Sequence, residues 1–308
     1  MNDRIKYSIP IVLFAFTIGF TLNNSNDAAI ATFFLMFGFI LLLAFQKGGL
    51  SDENDENNTI LTRRNILKTP YHVYYGDELN FSDRSLDEIL TKRFPYYSSL
   101  SATDQTKFLE RLQNFMANKV FKIHDSNCYN EMPVLISAAA IQLTFGLNKY
   151  LLPNFEFIHV YPQEFMRVRP DICFLEGNVS GQAINLSWKH FLDGYADTRD
   201  GQNVGLHEMA HALYYQTFVI EENVDNNFRD MYDDFMNDAN KVYQTEKTSD
   251  GGLYSDYAVR NIQEFWAESA ELFFERPSAM RTTYPRLYEK LKSLFNQDPM
   301  NNIKSLTG

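Results

Sequence analysis

Cationic residues, cysteine and histidine are all in short supply in this protein. Its 28 lysines and arginines face 39 aspartates and glutamates, giving a formal net charge of −11. No Lys/Arg cluster breaks that balance, so nucleic acid is excluded as the main partner: neutralising phosphates needs a basic stripe. The 2 cysteines, Cys128 and Cys173, lie far apart with no Cys-x-x-Cys spacing, and the expectation is two free buried thiols in a reducing compartment. With 6 histidines in 308 residues, any pair at ligand spacing stands out. Apolar residues, by contrast, are plentiful. At 45% hydrophobic and 15% aromatic content, the protein can bury a full-sized core in one soluble domain of about 250 residues.

Two uncharged apolar runs, residues 7–22 and 28–45, are separated by Asn23-Asn24-Ser25-Asn26-Asp27. The second has the length of a membrane-spanning helix, and the first reaches it if Lys6 snorkels, so residues 1–47 are expected to form a transmembrane helical hairpin. A cleavable signal peptide fits less well, because no small-x-small site precedes Asn23 and a second run follows at once. Two buried core helices also fit less well, since both runs are apolar all round. Arg4, Lys6 and Lys47 flank the runs, whereas the loop between them carries Asp27 and no Lys or Arg. Both ends, and the rest of the protein, are therefore expected on the cytoplasmic side of a two-pass anchor in the cytoplasmic membrane. Residues 48–58 (GGLSDENDENN) have nothing to bury and read as an acidic linker.

From 59 to 308 the pattern is that of a globular domain. His72 to Tyr75 reads as a short strand and Asp83 to Lys92 as a helix. Ser101 with Asp104 three residues on resembles a capping box for a helix from Ala102 to about Lys119, with Phe108, Leu112, Phe115 and Met116 as its apolar stripe. A small-residue, apolar helix is expected from about Pro133 to Phe145, stopped by Gly146. The period then changes: residues 155–162 and 178–188 predict a small sheet. A partly exposed helix within 221–252 carries Phe228, Met231, Tyr232 and Phe235. Another runs from Asn261 to Phe274, closed by Pro277, and one from about Arg286 to Phe295 completes the domain. His72, His159 and His190 lack a partner at ligand spacing and are expected to be structural.

The stretch Gly205-Leu206-His207-Glu208-Met209-Ala210-His211-Ala212-Leu213 is different. On a helix, His207 and His211 point from one face, ready to bind one metal ion through neutral imidazole nitrogens. Glu208 beside them can take a proton from an activated water and hand it to a leaving amine, the role of a zinc-hydrolase general base. Leu206, Ala210 and Leu213 give the helix a side to bury, and Asp200-Gly201-Gln202-Asn203 supplies a turn and a cap. A catalytic zinc wants a third protein ligand. Glu264, Glu268 and Glu271 lie at i, i+4 and i+7 on one helix face among large apolar residues, which calls for a cation nearby. Spacing does not choose between them.

These blocks together resemble a known family. His207-Glu208-Met209-Ala210-His211, the preceding Leu186-Ser187-Trp188 and Asp200-Gly201-Gln202-Asn203-Val204, and the later Glu264-Phe265-Trp266-Ala267-Glu268, Phe273-Phe274 and Gln297-Asp298-Pro299 are similar to the family of Mlc titration factor A, the glucose-regulated zinc metallopeptidases. Tyr96-Tyr97 through Phe121 and Val160-Tyr161-Pro162 fit its upstream part, so the resemblance covers roughly residues 90–300. The core is also similar to the zincin domain of anthrax lethal factor. The resemblance implies an α+β zincin-like domain, mostly helical with a small sheet, and one Zn2+ per molecule. It implies Glu264 as third ligand, Glu268 beyond the ligands in a supporting position, Glu271 as structural, and Tyr257, seven residues before Glu264, as the group that steadies the oxyanion. Such a peptidase acts on a peptide or protein. The family also implies an alternative: a protein that sequesters a transcription factor or other regulatory partner, with weak or no peptidase activity. An inert structural membrane protein is the third reading. The sequence departs from the family pattern at Ala212-Leu213-Tyr214, where an aspartate often follows, at Met209, where an aromatic is usual, and in the apolar runs at its N-terminus.

Overall fold

Alternating burial within short segments assembles the sheet, and helical stripes cover it. The computed structural model describes residues 70–167, 172–221, 224–249 and 251–301. Among them no helix is long and apolar enough to cross a membrane; the expected hairpin at 1–47 and linker at 48–58 lie outside the described residues. Strands β1 (His72–Tyr75), β2 (Val120–Ile123), β3 (Phe157–Tyr161), β6 (Gly177–Ser180) and β7 (Ala183–Ser187) form one sheet in the order β1-β2-β3-β7-β6. β2, β3 and β7 are parallel, whereas β1 and β6 pair antiparallel at the two edges. Phe121, Ile123, Ile158, Val160, Ile184 and Leu186 alternate along three strands and are all buried, as the period of two requires. β4 (Phe165–Arg167) and β5 (Cys173–Leu175) make a separate two-stranded ribbon.

The helices follow their apolar stripes. α1 (Asp83–Arg93) leads to the single turn α2 (Pro95–Ser98). α3 (Ala102–Ala117) starts at Ser101, whose hydroxyl accepts the Asp104 N–H, and buries Phe108, Leu112, Phe115 and Met116. It ends at Ala117, and just beyond it the Lys119 side chain turns inward, 2% exposed, and donates to the Leu151 and Leu152 carbonyls at 2.8 and 3.0 Å; β2 follows directly. α4 (Glu131–Thr144) is buried along almost its whole length. Gly146, just beyond it, serves a close approach: a Cβ there would stand 2.1 Å from the Phe295 carbonyl oxygen. The expected extended segment 178–188 is a β6–β7 hairpin turning at Gly181, with φ +59°.

α5 (Trp188–Ala196), α6 (Val204–Tyr215) and α7 (Asn226–Glu246) follow, then α8 (Ile262–Glu275), α9 (Pro277–Thr283) and α10 (Pro285–Phe295). Pro277 both closes α8 and opens α9, where its missing N–H costs nothing. Cys128 and Cys173 are free, as expected, but half-buried rather than buried. His159 is structural in the sense expected, its ring stacked on His124 at 5.1 Å. His190 sits between Glu164 and Glu176, at 3.1 and 3.3 Å.

Candidate metal centre

The centre is built where α6 and α8 pack together beneath the β6 edge. Asn203 caps α6, its Oδ1 accepting the Leu206 N–H at 3.0 Å. Its Nδ2 donates to Glu275 at 2.9 Å, and its backbone N–H donates to Glu271 Oε2 at 2.5 Å. Two α8 carboxylates are thus anchored at the start of α6, where the positive end of the helix dipole favours them. Two turns further along α6, the fully buried Trp266 donates its indole N–H to the Ala210 carbonyl at 2.9 Å. α6 and α8 are thus joined at the start of α6 and again at its middle.

That packing converges three ligand atoms. His207 Nε2 lies 3.0 Å from Glu264 Oε2, His211 Nε2 lies 3.2 Å from the same oxygen, and the two Nε2 atoms are 3.2 Å apart. Ligands held tetrahedrally at ~2.0–2.1 Å from zinc would be separated by about 3.3 Å. Atoms at such spacing are held together either by imidazole protons or by a metal cation between them, and His207, His211 and Glu264 are the residues that group in this way among those described. The residues fit a metal ion. Of the three acids that spacing left open, α8 delivers Glu264.

Electrostatics follow from the geometry. Burial disfavours charge on His207, but Glu271, Glu264 and Glu208 outweigh it and raise its pKa well above the usual imidazole value. Burial lowers that of His211, where Glu264 opposes and the neighbouring His207 adds to the fall. Glu264 is held far below the usual carboxylate range because hydrogen bonds and charge from both imidazoles overcome its burial. Glu208 is 4% exposed, and burial, helped by Glu264 and Glu271 against His207, pushes it up to about 8. Its Oε2 is buried with no hydrogen-bond partner among the described residues. β6 passes so close that a Cβ on Gly177 would stand 2.6 Å from the Glu208 Cγ and Oε1.

Glu271 and Glu268 exchange the parts expected of them. Glu271 Oε1 lies 2.6 Å from His207 Nδ1, so the ring donates there and leaves Nε2 free for a metal. Glu268 instead accepts the Ser255 N–H at 2.6 Å and its hydroxyl at 2.5 Å. Ser255 Oγ also accepts the Ala258 N–H at 3.2 Å, which fixes the turn carrying Tyr257. Tyr257 is 44% exposed, its ring centroid 6.2 Å from that of His207. Burial, with Glu264 and Glu208, pushes its phenol up to about 12, so at neutral pH it is a hydrogen-bond donor. The supporting roles of Asn203, Ser255 and Gly177 have no signal in the sequence beyond the helix cap expected at Asn203.

The family described as glucose-regulated metallo-peptidase M90 matches residues 78–296, well over half of the protein. The sequence is also similar to an uncharacterized protein of Synechocystis sp., 26% identical over 233 residues, which cover 70% of this protein and 84% of that one.

Proposed function

Because the protein belongs to the glucose-regulated metallo-peptidase family, we propose that it hydrolyses peptide bonds with one zinc ion held by His207, His211 and Glu264. Two neutral imidazoles and one carboxylate are a catalytic zinc donor set that leaves a position open. Zinc held there would supply Lewis acidity at the substrate carbonyl and acidify the attacking water. The observation that carries the reading is Glu208 Oε2, buried and unpartnered among the described residues, next to three converging ligand atoms. That carboxylate takes the proton of the attacking water and delivers it to the leaving nitrogen as the C–N bond breaks. Tyr257 donates its O–H to the oxyanion that forms. Among the described residues β6 pairs only with β7, and its outer edge offers main-chain groups to an extended peptide.

The domain is further proposed to be tethered to the cytoplasmic face of the membrane by residues 7–45, through the acidic linker. The test of the chemistry is metal content and turnover measured together on wild type and Glu208→Gln. One zinc per molecule in both, with turnover lower by about 10²–10⁴-fold in the variant, is the expected result. Equal turnover would refute the role of Glu208. Zinc in both without turnover in either would instead favour a protein that acts by binding a regulatory partner.

A further inference from the structure

A cleft of about 580 Å3 opens beside Glu208. Its lining includes His207, Glu208 and Tyr257 but neither His211 nor Glu264, so it extends to one side of the reaction centre. On the hydrolytic reading, which this inference rests on, Glu208 protonates the leaving nitrogen. The leaving residue must then lie on the Glu208 side, and the cleft receives the part of the substrate that follows the scissile bond. Val204, Leu253, Tyr254 and Leu272 give this cleft apolar walls.

Arg276, the residue after α8, also lines the cleft. Among the described residues it has no carboxylate within 4.0 Å and no side-chain hydrogen bond. Its stem passes close to the Gly201 turn. The backbone N–H is bonded to the Leu272 carbonyl at 2.9 Å, and a Cβ on Gly201 would stand 3.0 Å from its Cδ. Of the five acids that share the lining, Glu271 is engaged by His207 and Asn203, Glu268 by Ser255, Asp200 by the Gln202 N–H and Glu176 by His190, and the fifth, Glu208, is the proton carrier of the hydrolytic reading. None of them lies within 4.0 Å of the Arg276 guanidinium. A guanidinium offers donors in a rigid fork that matches a carboxylate. A half-buried one with no partner, in the cleft that takes the leaving segment, lacks an anion.

We propose that Arg276 binds the free C-terminal carboxylate of the peptide, making this protein a carboxypeptidase-type enzyme that releases a short C-terminal fragment. A cleft of this volume holds about one to three residues. Water adds across the scissile amide: its oxygen bonds to the acyl carbon, the C–N bond breaks, and the proton goes to the fragment's new amino group.

The test compares one peptide sequence as free acid and as C-terminal amide, using the zinc-loaded full-length protein. The free acid is expected to be cleaved with a kcat/KM about 10- to 100-fold higher, the range a charge-assisted pair provides. Arg276→Gln should bring that ratio close to one, with Arg276→Lys in between. Titrating the same two peptides into Glu208→Gln gives a binding ratio that needs no turnover. Equal cleavage and equal binding of acid and amide would overturn the proposal while leaving the hydrolytic reading intact. So would a preference that follows a lysine or arginine side group in either form. If neither peptide is cleaved but the free acid still binds more tightly through Arg276, the carboxylate site stands and the hydrolytic reading fails.

Discussion

His207 can serve as a metal ligand only while its Nε2 lone pair is free, and Glu271 enforces that tautomer by taking the proton on Nδ1. Glu271→Gln places an amide NH2 where one oxygen now receives either the ring or the Asn203 N–H, so one of the two bonds is lost. Metal affinity should fall by about 10- to 100-fold, read by competition with a chromophoric chelator, while the helical circular dichroism is retained. An unchanged affinity would remove Glu271 from the site. The pair His207–His211 and its neighbour Glu208 are legible in the sequence because all three sit within one helical turn and a half. The division of labour among Glu264, Glu268 and Glu271 is not. They share a face of one helix, and what separates them is which part of α6 or of the 254–258 turn each one meets, a tertiary fact with no local signature.

Elements differ in how openly the sequence declares them. α3, α7, α8 and α10 bury stripes that recur at helical spacing, and each is visible from that period alone. β2, β4 and β5 have three or four residues each, too few to show a period, and they are defined by the strands they pair with. β6 matters most to the site, since its first residue, Gly177, packs against Glu208, the proposed proton carrier. Gly177→Ala would drive a methyl group into Glu208, and either the strand edge or the carboxylate must move. A misplacement of that size should lower kcat/KM by about 10²-fold with metal content unchanged. Wild-type kcat/KM in Gly177→Ala would show that Glu208 does not depend on this contact. Gly181, by comparison, has φ +59° with nothing near its missing Cβ, so its substitution should strain the turn and spare the chemistry.

At the scale of the whole molecule the proposed anchor and the proposed chemistry separate cleanly. Full-length protein is expected to sediment with membranes and to be released by detergent but not by high salt, because buried apolar helices, unlike surface charges, are insensitive to ionic strength. A shortened form starting at residue 59 should stay in the supernatant. Release of the full-length protein by salt alone would count against two spanning helices. The fold class is readable because long amphipathic helices dominate the domain; the sheet order, with β7 and β6 outside β3, requires the structure.

The make-up of the centre also bears on time. His211 and Glu264 are 53 residues apart and His207 and Glu264 are 57 apart, and they meet only when α8 docks on α6 through Trp266 and Asn203. A ribosome adding about 5–20 residues per second needs roughly 3–10 s to cross that gap. The nascent polypeptide therefore carries two imidazoles and the Glu208 carboxylate well before it can hold a metal firmly, and the proposed capacity to cut peptides arrives only after nearly all of its own fold is complete.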